Sequence, residues 1–411
     1  MIIRLADFNI QSNKQPIHVP GSKSESNRLL ILKALFPSIE IENISTAVDT
    51  IKLQQALFVP FDGIIDIHHA GTAMRFLTAF FAAKDGCNII LTGSGRMQER
   101  PIGILVEALK ELGAQIDYTE EDGFPPLKIR GKQLMGGRVS LDPSVSSQYI
   151  SALLLMAPTF QKGLDIHFKK KPTSAPYIEM SLALLKSIGV NCVFNDLNVK
   201  IESFSGALTT NKFTICSDWS SASYFYSAVA LSPINTIISL SNFTPNSLQG
   251  DAQVAEIYKN FGVSTRYHNG ILIIEKTNQV YPIKLELNLN QTPDLAQTIA
   301  VTCLGLGVQC YLTGLHTLKI KETDRLVALK NEIEKCNGRV EVSKDSFHLT
   351  FIDELPSEVS INTYEDHRMA MAFAPLSMKC ALIIHDAMVV QKSYPNFWQD
   401  FQRIGLKWEV F

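Results

Sequence analysis

The segment LKELGAQID, residues 109–117, places the end of a helix, a glycine and the start of a strand next to one another. Leu109 and Leu112 have the spacing of one helix face, and Ile116 belongs to a short aliphatic strand. Gly113 suits the left-handed backbone that commonly ends a helix. The same phrase recurs as LKSIGVNCVF (185–194), YKNFGVSTRY (258–267), KCNGRVEV (335–342) and FQRIGLKWEV (401–410), and more weakly as LQQALFVPFDGIIDI (53–67).

The five clear copies have their glycines at intervals of 67 to 76 residues. Helix, glycine and strand follow one another in many α/β proteins, so it is the even interval that indicates an internal repeat. A chain of 411 residues then holds six units of about 70 residues, each mixing helices and strands. Units of this size are too large for a thin solenoid. Two groups of three, each a domain with its own core, are one possible assembly, and the sequence alone leaves the grouping open. We predict left-handed backbone at the repeated glycines, namely Gly113, Gly189, Gly262, Gly338 and Gly405.

Composition and charge exclude several classes of protein. The chain is 46% hydrophobic and 19% charged, and its formal net charge of −2 gives no reason to expect nucleic acid or an acidic membrane surface as a partner. The first residues, MIIRLADFNI, lack the pattern of a signal peptide, and polar residues and glycines interrupt the most apolar stretch, residues 299–315. We therefore expect a cytoplasmic protein without a membrane span.

Cysteine and histidine usage gives no sign of a disulfide framework or a metal site. Seven cysteines are scattered without a C-x-x-C pair, which predicts buried thiols in a reducing compartment. His68 and His69 are the only adjacent histidines, and the sequence around them lacks further ligands at metal-binding spacing. We expect no bound metal.

Polar clusters lie where several predicted helices begin. In HVPGSKSESNRLLILKAL (18–35), Pro20 and Gly21 break the chain, and serines precede an apolar helix. Free N–H groups, the positive end of the helix dipole and Lys23 make this start suitable for an anion, although the G-x-x-x-x-G-K-[ST] pattern of a Walker A loop is absent. Comparable clusters occupy HAGTAMRFLTAF (69–80), SGRMQERPIGILVEAL (94–109), DPSVSSQYISALLLMAP (142–158), KIKETDRLVALKNEIEK (319–335), TYEDHRMAMAFAPL (363–376) and VVQKSYPNFW (389–398).

Two interpretations of these clusters remain open. If the helix starts converge, they form a strongly cationic pocket in a protein of net charge −2, suited to a small polyanion with phosphate or carboxylate groups. If they do not converge, they are ordinary helix caps. We expect Asp324, in the first turn of its helix, only to complement the helix dipole, and we expect Arg75 to pair with a local acid.

Seven strings, PGSKSESNR, AGTAMR, RMQERPIG, SVSSQ, PDLAQTIA, KETDRL and DHRMAM, are similar, in this order, to those of the 5-enolpyruvylshikimate-3-phosphate (EPSP) synthase family. They span nearly the whole chain. The resemblance implies an α/β fold, a two-domain inside-out α/β barrel with three βαβαββ units in each domain, which agrees with the six-unit interpretation. It assigns residues 21–217 to one domain and residues 1–20 plus 218–411 to the other, and it implies that the domains close on their substrates.

The activity implied by the resemblance is enolpyruvyl transfer. Phosphoenolpyruvate and shikimate 3-phosphate would react by addition and elimination to give the enolpyruvyl ether at the 5-hydroxyl and phosphate, in chorismate and aromatic amino-acid biosynthesis. The resemblance implies no metal or organic cofactor, and we expect a monomer. Two alternatives remain: a UDP-N-acetylglucosamine enolpyruvyl transferase of the same fold, against which Arg28 and the KETDR string argue, and a non-catalytic anion-binding protein, which would not need an acid–base pair.

The resemblance also assigns site residues. Shikimate 3-phosphate would contact Lys23, Ser24, Arg28, Ser146, Ser147, Gln148, Ser174, Tyr177, Asp294 and Thr317, and Arg28 would be a fork-shaped donor to its carboxylate. Phosphoenolpyruvate would contact Lys23, Gly71, Arg100, Arg325, Arg368 and Lys392, and Lys321 would bridge both ligands. Glu322 resembles the family's proton donor and Asp294 its base, and Lys23 resembles a residue that takes part in catalysis. Three positions depart from the family's usual residues, since His69 and Thr317 replace asparagine and Phe76 replaces proline.

The reaction needs an acid and a base that are held apart, because one proton is added to the methylene carbon of phosphoenolpyruvate while another leaves a hydroxyl. Cations at Lys23, Lys321 and Arg325 favour the ionised form of Glu322. The negative charges of two bound substrates favour its protonated form. We therefore expect substrate binding to prepare Glu322 as an acid.

Overall fold

The computed structural model describes residues 1–6, 10–13, 15–142, 146–195 and 197–411, and all elements below lie in these ranges. The strands are β1 (Ile3–Leu5), β2 (Ile17–His18), β3 (Glu40–Glu42), β4 (Asp62–Asp66), β5 (Asn88–Thr92), β6 (Gln115–Tyr118), β7 (Leu127–Arg130), β8 (Gly137–Leu141), β9 (Leu164–Phe168), β10 (Cys192–Asn195), β11 (Asn198–Ile201), β12 (Lys212–Thr214), β13 (Ile237–Ser241), β14 (Val263–His268), β15 (Ile271–Lys276), β16 (Lys284–Asn288), β17 (Gln309–Thr313), β18 (Gly338–Val342), β19 (Phe347–Ile352), β20 (Glu358–Ile361), β21 (Ala381–Ile384) and β22 (Trp408–Val410).

The α-helices are α1 (Lys23–Leu35), α2 (Val48–Ala56), α3 (Gly71–Ala83), α4 (Gly95–Gln98), α5 (Gly103–Glu111), α6 (Ser147–Met156), α7 (Ala175–Ser187), α8 (Trp219–Leu231), α9 (Val254–Ile257), α10 (Ala296–Leu306), α11 (Arg325–Lys335), α12 (His367–Phe373) and α13 (Phe397–Gln402). Short 3₁₀ helices lie at Ala157–Thr159, Gly250–Gln253, Tyr258–Phe261, Pro293–Leu295, His316–Ile320, Ala374–Met378 and Ala387–Lys392.

Among the described residues the strands form six sheets, and five of them share one topology. The first strand of the unit is parallel to the second, and two antiparallel strands follow beside the second, as a hairpin in four sheets and as the chain-terminal strands β1 and β22 in the fifth. The orders are β4-β5-β7-β6, β8-β9-β11-β10, β16-β17-β19-β18, β2-β13-β15-β14 and β20-β21-β1-β22. A parallel pair needs a crossover connection, and α3, α6 and α10 supply it in the first three sheets.

The chain divides into two compact units, residues 1–21 with 216–411 and residues 22–215. The first unit is discontinuous in sequence because strands near the N-terminus complete sheets whose other strands lie in residues 216–411. β1 pairs with β21 and β22, and β2 pairs with β13. Each unit contains three of the six sheets.

Each unit has three buried helices in its interior. These are α1, α3 and α6 in residues 22–215, and α8, α10 and α12 in the other unit, and within each set the helices pack against one another. Every residue of α8 except Ser220 is buried, as expected for a helix that is apolar on all sides. The strands alternate, as β15 does between half-buried and buried residues, so each sheet covers helices with one face and meets solvent with the other.

Four of the five repeated glycines have the left-handed backbone that the sequence predicts, with φ between +68° and +108° at Gly113, Gly189, Gly262 and Gly405. The prediction is wrong at Gly338. There Asn337 adopts the left-handed conformation, with φ +61°, which asparagine tolerates better than most residues. Gly338 instead begins β18 at a tight contact, where a Cβ would lie 2.6 Å from Cγ2 of Ile333.

The weak sixth copy of the repeat is not equivalent to the others. Gly63 lies inside β4, the first strand of the next unit, and not between a helix and a hairpin. The sheet of its own unit has only the parallel strands β3 and β12 in the described chain. Among the described residues this sheet lacks the two antiparallel strands that complete the other five sheets, which explains why the sequence signal is weak.

Two sequence-based expectations about the chain as a whole can be compared with the structure. In the part of the chain that the structure describes, no helix is both long enough and apolar enough to cross a membrane. All seven cysteines are described and are thiols, six of them buried and Cys216 half-buried.

Glycines at helix ends offer a matched test of the packing. Gly262 and Gly307 both end helices with left-handed backbone, but a Cβ at Gly262 would lie 2.2 Å from the carbonyl oxygen of Asn278, whereas the space at Gly307 is open. Gly307→Ala should lower the free energy of unfolding by about 1–2 kcal/mol through backbone strain alone. Gly262→Ala should cost about 1–3 kcal/mol more, because the backbone must also move. Urea unfolding of both variants measures this difference, and equal losses would contradict the packing at Gly262.

Candidate active site

Asp324 and Asp366 each cap a helix in the unit formed by residues 1–21 and 216–411. Asp324 accepts hydrogen bonds from the backbone N–H groups of Leu326 (3.1 Å) and Val327 (3.2 Å) at the start of α11. Asp366 accepts one from the N–H of Arg368 (3.0 Å) at the start of α12. Asp324 therefore does more than complement the dipole, since it satisfies two N–H groups that lack partners within the helix.

Arg325, the first residue of α11, binds three carboxylates with one guanidinium group. Its Nε and Nη2 donate to Asp366 (2.6 and 3.2 Å), its Nη1 donates to Asp294 (2.9 Å), and its Nη2 also donates to Glu322 (2.7 Å). The side chain is only 2% exposed. Burial alone would lower the pKa of Arg325, but the carboxylates, Asp366 foremost, raise it above its usual value.

Asp294 lies in the 3₁₀ helix that leads into α10 and is held by several cations. Besides Arg325, it accepts a hydrogen bond from Nη2 of Arg368 (3.0 Å), and Nζ of Lys321 lies 3.7 Å from its Oδ1. Burial would raise the pKa of Asp294, but Arg368, Lys321 and Arg325 outweigh burial and hold the pKa below its usual value. The carboxylate is therefore ionised in this arrangement.

Three further residues of this unit were predicted from the sequence. Burial lowers the pKa of the Lys321 ammonium, with Asp294 opposing the change. Nζ of Lys392 donates a hydrogen bond to the backbone carbonyl of Glu365 (2.7 Å). Thr317 is buried in the 3₁₀ helix His316–Ile320, and its hydroxyl oxygen has no hydrogen-bond partner among the described residues.

In residues 22–215, the beginnings of α3 and α6 are linked by a glutamine. Ser146 caps α6 and accepts from the N–H of Gln148 (3.3 Å), and Nε2 of Gln148 donates to the hydroxyl of Thr72 (3.1 Å) in α3. Ser147 is the first residue of α6. Of the string SVSSQ, Ser144 and Val145 lie outside the described residues.

Two further helix beginnings in this unit carry predicted site residues. Nζ of Lys23, the first residue of α1, lies 3.3 Å from Oδ2 of Asp49, and the Lys23 side chain is 20% exposed. Ser174 precedes α7 with left-handed backbone, φ +53°, and is buried. The N–H of Tyr177 bonds the carbonyl oxygen of Ser174 (3.1 Å).

Arg28 is almost completely enclosed, and its guanidinium makes four hydrogen bonds within the protein. Its guanidinium donates to the hydroxyls of Ser181 and Ser151 (2.8 Å each) and to the backbone carbonyls of Ser24 (2.8 Å) and Tyr177 (3.1 Å). These bonds tie α1 to α6 and α7. Burial lowers the pKa of Arg28 to about 10.

The contacts of Arg28 leave little room for the fork-shaped contact that the sequence predicts. A guanidinium has five N–H groups, four of the bonds above use different ones, and one N–H of Nη1 remains without a partner among the described residues. The buried ring of Phe76, one of the departures from the family's usual residues, lies 5.5 Å from Cζ of Arg28 and further encloses it. At most one N–H can point at a ligand without rearrangement.

Gly71 and Arg100 depend on one another. Gly71 is the first residue of α3, and a Cβ at this position would lie 2.6 Å from Nη1 of Arg100. Arg100 is buried. A larger residue at this position would displace the guanidinium from the beginning of the helix.

The prediction for Arg75 is wrong. Instead of a local acid, its guanidinium binds the backbone carbonyls of Gly71 and Pro101 (3.1 Å each) and the sulfur of Met97 (3.4 Å). The ring of Tyr149 lies 5.7 Å from its Cζ. Arg75 thus fastens the loop around Arg100 to α3 through neutral acceptors.

Within each unit, taken separately, contacts connect many of the predicted residues. In one unit Asp294, Lys321, Glu322, Arg325 and Arg368 form one charged cluster. In the other, direct contacts join Gly71 to Arg100, Gln148 to Thr72, and Arg28 to Ser24 and Tyr177. Sequence reasoning missed Asp366, Asp49, Ser151 and Ser181; of these, Asp366 had a readable signal, since an acid directly before a helix is a common N-cap.

Comparison with known proteins gives a consistent result. The family model described as EPSP synthase (3-phosphoshikimate 1-carboxyvinyltransferase) matches residues 38–401. A 3-phosphoshikimate 1-carboxyvinyltransferase of Bacteroides fragilis is 43% identical over 399 residues, covering 95% of each chain. One from Photorhabdus laumondii is 33% identical over 418 residues, covering 95% of this chain and 96% of the relative. The solved EPSP synthase of Acinetobacter baumannii superposes with a TM-score of 0.77 at 21% identity, covering 99% of both chains, and this likeness confirms the two-domain inside-out α/β fold.

The charge network around Arg325 makes a prediction about stability. Asp366→Ala removes two of the hydrogen bonds to a buried guanidinium and the cap of α12, and it should lower the free energy of unfolding by about 3 kcal/mol or more. Chemical denaturation measures the change. The control is Glu358→Ala, which removes the exposed salt bridge to Arg4 (2.7 Å) and should shift the unfolding midpoint far less. Similar shifts in the two variants would contradict a structural role for the Arg325 network.

Proposed function

The chain belongs to the EPSP synthase family, and from that premise we propose how its residues carry out the reaction. The protein transfers the enolpyruvyl group of phosphoenolpyruvate to the 5-hydroxyl of shikimate 3-phosphate and releases phosphate, a step in the biosynthesis of chorismate and aromatic amino acids. The hydroxyl oxygen adds to carbon 2 of phosphoenolpyruvate while carbon 3 takes up a proton. Loss of a proton from carbon 3 and of phosphate from carbon 2 then restores the double bond.

Asp294 is the proposed base for the hydroxyl proton, and Glu322 is the proposed acid that protonates carbon 3. The observation that supports this assignment is that Arg325 binds the two carboxylates through different nitrogens, Nη1 and Nη2. The guanidinium is planar and rigid, so it keeps the acid and the base at a fixed separation. Addition of a hydroxyl to a double bond requires this separation.

The charges around Asp294 suggest how substrate binding starts the reaction. Without ligands, Arg368, Lys321 and Arg325 hold the pKa of Asp294 below its usual value, which makes it a weak base. Anionic substrates that bind Arg368 and Lys321 would compete for these cations and so raise the proton affinity of Asp294. The same added negative charge would favour the protonated form of Glu322.

Phosphoenolpyruvate carries a phosphate and a carboxylate, which are suitable partners for arginine and lysine. The proposed contacts are Lys23, Gly71, Arg100, Arg325, Arg368 and Lys392, with Lys321 as the bridging residue. Lys23 is also a proposed catalytic residue, since its cation would stabilise the charge that develops as phosphate leaves. The close fit of Arg100 over Gly71 supports a role for both in one contact surface.

Shikimate 3-phosphate would be bound mainly by the serine-rich helix beginnings of residues 22–215. The proposed contacts are Lys23, Ser24, Arg28, Ser146, Ser147, Gln148, Ser174, Tyr177, Asp294 and Thr317. Arg28 would give the carboxylate one N–H of Nη1 and not a fork, because its other N–H groups are bound within the protein. The hydroxyl of Thr317 is buried and has no hydrogen-bond partner in the described part of the chain, which supports a ligand contact there.

The domain assignment, the oligomeric state and the cellular location are also proposals. We assign residues 21–217 to a shikimate-3-phosphate-binding domain and residues 1–20 plus 218–411 to a domain that carries Asp294, Glu322, Arg368 and Lys392. A monomer in the cytoplasm is expected, and six buried thiols suit a reducing compartment. Membership of the EPSP synthase family argues against the UDP-N-acetylglucosamine reaction and against a purely anion-binding role.

A phosphate-release assay tests the proposed function. With shikimate 3-phosphate and phosphoenolpyruvate together, the protein should release one phosphate for each enolpyruvyl ether formed. Replacement of shikimate 3-phosphate by UDP-N-acetylglucosamine should give no release. Release with the nucleotide sugar would support the related transferase, and no release with either acceptor would support an anion-binding protein.

Glu322→Gln tests the proposed acid. The substitution preserves the shape of the side chain and an acceptor for Arg325 but removes the titratable proton, so turnover should fall by about 10²-fold or more while both substrates still bind. The matched control is Glu334→Gln, since Glu334 lies exposed on α11 and should be replaceable without loss. Near-normal turnover of Glu322→Gln would contradict the assignment of Glu322 as the acid and would leave it a structural role only.

A further inference from the structure

Glu332 is a buried acid that has no part in the proposed chemistry. It lies in α11 and is 0% exposed. Its Oε2 accepts hydrogen bonds from Nζ of Lys335 (2.6 Å) and from the backbone N–H of Asn362 (3.0 Å), and its Oε1 accepts one from the hydroxyl of Tyr364 (2.6 Å). Two of its three partners therefore belong to the loop between β20 and α12.

That loop has an unfavourable backbone. Tyr364 and Glu365 are consecutive and both left-handed, with φ +53° and +55°. Neither is a glycine or an asparagine, and each such residue costs about 1–2 kcal/mol relative to ordinary backbone. A strained segment of this kind persists only when its surroundings hold it, and such segments concentrate at functional sites. Glu332 accepts the hydrogen bonds from Asn362 and Tyr364 that hold the beginning of this loop.

The strained residues set the acceptors of two cations and the start of the helix that carries a third. The carbonyl of Glu365 accepts from Nζ of Lys392 (2.7 Å). The next residue, Asp366, is 0% exposed, binds Nε of Arg325 (2.6 Å) and caps the N–H of Arg368 (3.0 Å). A rotation of the backbone at Tyr364 or Glu365 would displace the acceptors of Lys392 and Arg325 and the cap of the helix that carries Arg368.

A single helix holds both ends of the loop. Arg325 and Glu332 are seven residues apart in α11, about two turns, and so lie on the same helix face. Arg325 binds Asp366 at the end of the loop, and Glu332 binds Asn362 and Tyr364 at its beginning. Arg325 is a cation that binds a carboxylate, and Glu332 is an anion that binds hydrogen-bond donors, so the two contacts cannot be exchanged. The loop therefore cannot shift along the helix without losing one of them.

We propose that Glu332 is a positioning residue for phosphoenolpyruvate, because it holds Tyr364 and Glu365 in the left-handed conformation that sets Arg325, Arg368 and Lys392. This inference rests on the proposed function, in which these three cations bind phosphoenolpyruvate. Glu332 itself does not contact the substrate. Its loss changes how well the cations are arranged and leaves the residues proposed for shikimate 3-phosphate in residues 22–215 unaltered.

Tyr364→Phe is the mildest test, since it removes one hydrogen bond to Glu332 and keeps the ring. Glu332→Gln is the second variant, since it removes the charge that pairs with Lys335 and retains an amide oxygen. Both should raise the KM for phosphoenolpyruvate by about tenfold, with a smaller change in kcat and a KM for shikimate 3-phosphate within about twofold of the wild type. The dissociation constant of phosphoenolpyruvate, measured by calorimetry, should rise in parallel.

Two further variants separate positioning from general stability. Glu334→Gln, on the exposed side of the same helix, should change neither KM. Glu365→Asn changes an exposed side chain and leaves the carbonyl that binds Lys392 in place. Because asparagine tolerates left-handed backbone better than glutamate, Glu365→Asn in the Tyr364→Phe background should recover at least part of the lost affinity for phosphoenolpyruvate.

The outcomes are distinguishable. An unchanged KM and dissociation constant for phosphoenolpyruvate in Tyr364→Phe and Glu332→Gln, or an equal loss of affinity for both substrates, overturns the inference. Failure of Glu365→Asn to recover any affinity overturns it as well, since the role would then not act through backbone conformation. If the wild type releases no phosphate, the proposed function fails, while the calorimetric comparison of wild type and variants still decides the role of Glu332.

Discussion

The guanidinium of Arg325, buried among three carboxylates, is the interaction on which the proposed chemistry depends. Burial of a cation and of the carboxylates beside it is costly unless each charge is paired and hydrogen-bonded. Here every nitrogen of the guanidinium donates to a carboxylate, and Asp294, Glu322 and Asp366 lie at or shortly before the beginnings of three different helices. The same contacts that make the network tolerable in the interior also fix the distance between the proposed base and the proposed acid.

The repeat explains why helix beginnings carry this chemistry. Each unit buries three helices behind three sheets, so the surface of the helices is used for packing and their N-terminal ends remain for polar contacts. Capping residues such as Asp324, Asp366 and Ser146 satisfy the first N–H groups and fix the neighbouring charged side chains. Helix beginnings also favour anions through the dipole, which suits two substrates that carry phosphate and carboxylate groups.

Much of the architecture was predictable from local patterns, and the exceptions have physical reasons. The helix–glycine–strand phrase predicted the repeat, and the ordered motifs predicted the family, because both are encoded in adjacent residues. Asn337 in place of Gly338 was not predicted, since either residue can end a helix and only the close packing on Ile333 decides between them. The contacts of Arg28 and Arg75 were also not predicted, because they depend on carbonyls and hydroxyls brought close by tertiary packing. The substrate roles of the individual site residues stay predictions.

The measurement that tests the central claim most directly is the turnover of Arg325→Lys with both substrates. Lysine keeps the positive charge but has a single nitrogen, so it cannot bind Asp294, Glu322 and Asp366 along separate directions. If the rigid guanidinium sets the separation of base and acid, kcat for phosphate release should fall by about 10²-fold or more, measured at a temperature where the variant is folded. A kcat close to that of the wild type would contradict the account, since charge alone would then suffice.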